Sequence, residues 1–226
     1  MSGGGHGPGS GRNWSGSRSY ARESGPAGSG SRDRRLSAED LDGLHRLLAA
    51  SSFTAFDFET TGLDPARERV VELGAVRFRL SEEAGSWIPT VEAEFSSLVN
   101  PGRPIPREAG AIHGISDLDV SFSPSFAALA GDFFRFLGDS VLVAHNAPFD
   151  LGFLKAETAR AGLEMPPNAA YDTIVLARTA VPHLPSYALS ALAKSFGIDQ
   201  KDAHRGADDA RVCMELFVRC VALIFR

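Results

Sequence analysis

Hydrophobic and polar positions along the chain follow two periodicities, one near 3.6 residues and one near 2, and their alternation predicts the element order. Ser37–Leu48 (SAEDLDGLHRLL) sets Leu41, Leu44, Leu47 and Leu48 at helical spacing behind a Ser N-cap. With Glu39 read as the third helical residue, this predicts a capping box and an amphipathic first helix. Phe53–Phe58 is a short apolar run that ends in acidic residues and is broken by Thr-Thr-Gly. Val70–Arg79 and Val91–Val99 cluster or alternate as strands, with a turn-rich Ser81–Ser86 segment between them, so a three-stranded antiparallel meander is predicted. Pro101–Pro106 reads as a loop, Ser125–Leu137 as a helix carrying Phe126, Leu129, Phe133 and Leu137 on one face, and Val141–Ala144 as a buried fourth strand. A helix over Asp150–Ala161, a short fifth strand at Ala170 and Tyr171, and helices over Asp172–Thr179, Leu189–Phe196 and Ala207–Phe225 follow. A meander followed by alternating helices and strands predicts the α/β class, a mixed sheet with helices on its faces.

Composition narrows this picture. At 226 residues, 43% of them hydrophobic and 23% charged, the chain suits one sizeable domain, and no apolar stretch approaches the roughly 20 residues that span a bilayer. Residues 1–35 are nearly all Gly, Ser and Arg and cannot bury enough surface to offset chain entropy, so they are expected to form a disordered tail ahead of a domain at 36–226. The tail lacks the apolar segment of a secretory signal, and its glycine density argues against an amphipathic targeting helix, which makes a cytoplasmic location the expectation. Cys213 and Cys220, seven residues apart on one helix, read as buried reduced thiols, not a disulfide or a zinc site.

The net charge of −5 is unevenly distributed. Six arginines against two acids give the first 35 residues +4, which leaves −9 for residues 36–226. So acidic a body excludes a broad basic groove for long duplexes, but it suits an enzyme that grips a few nucleotides through bound cations.

The acids are also patterned. Asp57 and Glu59 are two apart at the end of an apolar strand, so their carboxylates share a face, and a divalent cation is the natural offset for two adjacent anions. Leu142–Asp150 (LVAHNAPFD) runs from an apolar strand through a polar turn to an aspartate near a helix start, and His204–Ala210 (HRGADDA) sets a histidine five residues before Asp209.

Together DFETTGL at 57–63, HNAPFD at 145–150 and H-x-x-x-x-D-A at 204–210 resemble, in order and separation, the three motifs of the DnaQ-like DEDDh exonucleases. The resemblance covers roughly Phe53–Phe217 and includes VVELGAV, EAGAIHGIS at 108–116 and DTIVLARTAVPHLPSYALSALAKSFGI at 172–198. It implies a ribonuclease-H-like fold with a five-stranded mixed sheet and helices on both faces. It also implies a 3′–5′ exonuclease using two divalent ions, Mg²⁺ or Mn²⁺, held by Asp57, Glu59, Asp150 and Asp209. By the same resemblance Asp57 bridges the ions, Glu59 and Asp209 hold the one that activates water, Asp150 supports the other, and His204 is the general base. Asp209 is preferred over the adjacent Asp208 because four residues separate it from His204. The small Gly206 is expected to loosen the loop that carries His204.

Substrate contacts implied by the motifs fall on Phe58, Thr60, Thr61, Leu63, Glu108, His113 and Asn146, with Leu63 wedged beside the last base and Asn146 also ordering the turn before Asp150. Phe149 reads as core and Asp172 as a helix N-cap. The 172–198 stretch looks more like the proofreading branch, which favours single-stranded DNA 3′ ends over RNA. An RNA exonuclease and an inactive nucleic-acid-binding module are the alternatives. Polymerase association is a possible partnership, but the chain ends at the last predicted helix and its only glutamine, Gln200, lies in a loop. Neither a C-terminal tether nor a clamp-binding peptide is therefore expected, and a free-standing enzyme or a partner engaged through the N-terminus is.

Overall fold

The computed structural model describes residues 34–226, so all but the last two residues of the expected tail lie outside it. Helix α1 (Ala38–Leu48) starts on Ser37, whose hydroxyl accepts the Asp40 amide, and it is Asp40 that occupies the third helical position and closes the capping box, not Glu39. The chain then builds strands β1 (Ser52–Thr60), β2 (Val70–Glu83) and β3 (Ser86–Leu98) as an antiparallel meander. Here the sequence expectation was too short, since Ser81–Glu83 stay in β2 and the turn is only Ala84–Gly85. Both turn residues have positive φ (50° and 78°), the two-residue hairpin geometry that matches strand twist.

Two short helices, α2 (Arg107–His113) in the EAGAIHGIS stretch and α3 (Asp117–Val120) just after it, stand where no element was predicted, because neither is long enough to show a period. Next come α4 (Phe126–Leu137), β4 (Val141–Ala144), α5 (Ala147–Arg160), β5 (Ala170–Asp172), α6 (Thr173–Ala180), α7 (Leu189–Phe196) and α8 (Gly206–Ile224). Helix α5 begins three residues before Asp150, with a proline in its first turn, where the missing N–H costs nothing.

The sheet is mixed, in the order β3-β2-β1-β4-β5, with β4 parallel to both β1 and β5. Its two faces carry separate cores. Phe53, Ala55, Phe78 and Val143 pack under α8 with residues of α1, α6 and α7, whereas Phe56, Phe58, Leu142 and Ala144 pack against α4 and α5. Strand alternation along β1 thus feeds both cores at once and makes it the buried centre of the molecule. Cys213 and Cys220 are buried free thiols in the α8 core. Among the described residues no helix is long and apolar enough to cross a membrane.

Candidate active site

Alternation along β1 continues past the core. Phe53 and Ala55 lie beneath α8, so Asp57 and Glu59 emerge on that same face, where the start of α8 crosses the sheet. Phe58 points the other way, its ring in the second core against Phe56 and Phe133. Its amide donates to Asp150 Oδ1 at 3.1 Å and so ties the carboxylate strand to α5.

Asp150 is buried in the first turn of α5, reached through a turn in which Asn146 is left-handed (φ 64°, ψ 51°). The Asn146 side chain is exposed and makes no cap bond. The turn is ordered instead by Asp172, whose Oδ1 accepts the amides of Asn146 at 3.1 Å and of Ile174 at 2.8 Å. Asp172 is therefore the N-cap of α6, as its sequence context predicts, and also a staple for the HNAPFD turn. His145, at the start of that turn, bonds Thr173 Oγ1 through Nδ1 at 2.8 Å, and burial pushes its pKa down to about 4.

The third segment arrives as a loop. His204 is exposed with φ 64°, and its amide donates to Asp209 Oδ2 at 3.1 Å, while Gln200 Nε2 donates to Asp209 Oδ1 at 2.7 Å. Asp208 turns away, its Oδ2 accepting the Lys201 and Asp202 amides (2.8 and 2.9 Å) and its Oδ1 held by Arg211. The two neighbouring aspartates thus divide the work: Asp208 shapes the loop and Asp209 faces Glu59. Gly206 does not loosen this loop, contrary to the sequence expectation. It is buried against β2, its amide bonds Glu72 Oε2 at 2.9 Å, and a Cβ on the facing Gly74 would stand 2.0 Å from the Gly206 carbonyl carbon. Glycine on both sides is what lets the backbones of α8 and β2 approach this closely.

Three ligand-capable atoms, from Glu59, His204 and Asp209, lie within 4.8 Å of one another. The electrostatics extend the group to Asp57 and Asp150. Burial, then Asp150, Glu59 and Asp209, hold the Asp57 carboxyl well above the usual carboxylate range. Burial also raises Asp150, against the Phe58 amide bond, and raises Asp209, against the bonds from Gln200 and His204. Glu59 is pushed to about 8 by burial and by Asp209 and Glu72, with Arg205 opposing. So many mutually repelling carboxyl groups with one nearby guanidinium fit a hard divalent cation, which favours oxygen donors and would replace the protons the group otherwise retains.

The expected substrate residues separate into two groups. Leu63 is 84% exposed at the turn after β1. His113 is buried, accepts the Ile115 amide on Nδ1 at 3.1 Å, and has its pKa lowered by burial, with the Thr60 carbonyl and the Glu72 carboxylate offsetting this in part. Thr60 donates to the Gly62 carbonyl at 2.7 Å. Thr61, however, is buried with its hydroxyl committed to Glu68 (2.6 Å) and to the Arg69 amide, and its own amide donates to the Arg69 carbonyl, so its groups hold the turn together. Glu108 stands exposed in the first turn of α2. Sequence reasoning missed Glu72, Gln200, Asp172 and Glu68 as supports of the site. The visible signal for Glu72 was a lone charge inside the apolar run VVELGAV.

The chain is similar to known exonuclease domains. The profile of the RNase_T exonuclease domain family matches residues 54–217. The chain is 42% identical over 173 residues to the DNA polymerase III subunit epsilon of Treponema pallidum, covering 76% of this chain and 77% of that protein. It is 34% identical over 175 residues to the DNA polymerase III PolC-type of Bacillus cereus, covering 77% of this chain but only 12% of that much longer protein. Among solved structures, exonuclease X in complex with 5′ overhanging duplex DNA superposes with a TM-score of 0.56 at 27% identity, over 74% of this chain and 90% of that one.

Proposed function

The chain belongs to the DnaQ-like family of 3′–5′ exonucleases, and from that premise we propose that it releases nucleoside monophosphates from the 3′ ends of single-stranded DNA. The observation that supports this most is the meeting of Asp57, Glu59, Asp150, Asp209 and His204, drawn from three separated segments, at one end of the sheet with their carboxyl groups held above the usual range. The DNA polymerase III epsilon relative and the DNA-bound exonuclease X structure support DNA as substrate and a polymerase as partner.

Asp57, Glu59, Asp150 and Asp209 would hold two divalent ions, Mg²⁺ or Mn²⁺, which when bound supply positive charge against the scissile phosphate and its leaving oxygen. His204, exposed at the edge of this group, takes the proton from the attacking water as its oxygen bonds phosphorus and the bond to the 3′ oxygen of the preceding nucleotide breaks. Imidazole suits this step because its ordinary pKa lies near neutrality. Leu63 stacks beside the terminal base, and His113 and Thr60 line the same end of β1. Thr61 and Glu68 keep the turn in the shape that presents them.

The test is digestion of a 5′-labelled single-stranded oligonucleotide with Mg²⁺. Asp57→Ala should lower the rate by on the order of 10³-fold or more. Undiminished digestion by the variant would exclude this site, and no digestion by the wild type would favour a binding module. Matched DNA and RNA oligonucleotides decide the sugar, with faster loss of DNA expected.

A further inference from the structure

Glu72 has no task in the mechanism above, yet it is among the most deliberately placed carboxylates in the molecule. It lies directly opposite Glu59 in the β1–β2 register and is 3% exposed. Its oxygens accept Arg205 Nε (3.2 Å to each), Arg205 Nη2 (2.8 Å) and the Gly206 amide (2.9 Å). All of these donors belong to the two residues that follow His204.

Three further observations give those bonds a purpose. Arg205 is the N-cap of the 19-residue α8 but makes no side-chain cap bond, so the helix takes its cap from another strand. His204 is left-handed, a conformation that costs a non-glycine residue on the order of 1 kcal/mol and persists only when its surroundings enforce it. It is enforced from both sides here: the His204 amide is held by Asp209, and the next two residues are held by Glu72. Two residues along β2 from Glu72, Gly74 lets the α8 backbone seat against the strand, so contact and charge locate the same point.

We propose that Glu72 is a positioning residue for the nuclease reaction, setting His204 and Asp209 against Glu59 by holding Arg205 and Gly206. It is not itself a cation ligand, because both its oxygens are already engaged by a guanidinium and an amide. This rests on the exonuclease reading above and extends it to a fifth carboxylate that touches neither substrate nor phosphate.

The test uses the full chain with Glu72→Ala, Glu72→Gln and Arg205→Gln. It reads kcat and KM on single-stranded DNA with Mg²⁺, Ca²⁺ affinity by calorimetry without DNA, and thermal stability. Glu72→Ala should lower kcat by roughly 10- to 100-fold and weaken Ca²⁺ binding by about tenfold, with KM nearly unchanged. Glu72→Gln keeps an acceptor for the Gly206 amide and should recover much of the loss. The Glu72→Gln, Arg205→Gln double variant should lose less than the product of its single effects, because the two residues act as one pair. Should Glu72→Ala fail to fold, Arg205→Gln carries the test with the same signs, since Arg205 is exposed and its removal opens no cavity.

Unchanged kcat and Ca²⁺ affinity in the variants would overturn the proposal, as would a loss fully explained by the unfolded fraction. A wild type that binds Ca²⁺ but digests nothing counts against the exonuclease reading alone. In that case the Ca²⁺ affinities still decide the role of Glu72.

Discussion

The end of β1 and the loop between α7 and α8 deliver acids to the same place by opposite means. Asp57 and Glu59 owe their position to backbone register: they stand opposite Gly74 and Glu72 in the antiparallel β1–β2 ladder, and neither carboxylate can move unless the strand slips. The loop has no such frame. Gln200, Lys201, Asp202, His204, Arg205 and Gly206 all donate to just three carboxylates, Glu72, Asp208 and Asp209. A strand-borne ligand is thus insured by many backbone bonds, whereas His204 depends on a few side chains, each removable by one substitution. Substitutions at the strand end should act through charge, and substitutions around the loop through geometry.

Asp209 belongs to both categories and should show the largest effect. Asp209→Asn removes a charge facing Glu59 and disturbs the bonds from Gln200 and His204, and kcat should fall on the order of 10³-fold or more. An effect no larger than that of Asp208→Ala would mean that the wrong one of the two aspartates has been assigned to the site. Gly74→Ala comes next, because its methyl group meets backbone, which cannot swing aside, 2.0 Å away. Relief requires the start of α8 to lift from β2, at a cost of about 3 kcal/mol. In a thermal melt that is a fall of roughly 6–12 °C for a domain of this size. A melt within a degree or two of the wild type would show that the helix start is softer than the close approach implies.

Asp208→Ala is milder. It frees two exposed amides that water can reach and costs about 1 kcal/mol, yet it should lower kcat several-fold because the loop it shapes carries His204. A stability loss without a kcat loss would sever the proposed link between loop shape and turnover.

The same contrast explains what could be read from the sequence. The shared face of Asp57 and Glu59 follows from a period of two, which is local, and the three motifs are local as well. The supports are not. Glu72 acquires its role only when β2 pairs with β1 and α8 crosses them, and the Gly74–Gly206 approach joins residues far apart in the chain. Thr61 illustrates the limit from the other side. Its motif position suggested a substrate contact, but the return of the chain through Glu68 and Arg69 buries its polar groups in the turn. Helices α2 and α3 were missed because seven and four residues are too few to show a period.

A last, smaller effect sharpens the comparison by treating the two regions as one charge cluster. Glu59 titrates near 8 in the folded protein against an ordinary 4.5, so between those values the folded state retains a proton that the unfolded chain has released. Asp57, Asp150 and Asp209 are raised as well and act with the same sign. Where the folded state binds more protons, stability falls as pH rises, so the metal-free protein in chelator should melt several degrees lower at about pH 8.5 than at about pH 5.5. Divalent cations replace those protons, and saturating Mg²⁺ should remove most of the slope by raising the melting temperature at the alkaline end. A flat profile in chelator would mean that the acids of β1 and of the loop do not repel one another in solution, and the shared cation site inferred from their repulsion would lose its support.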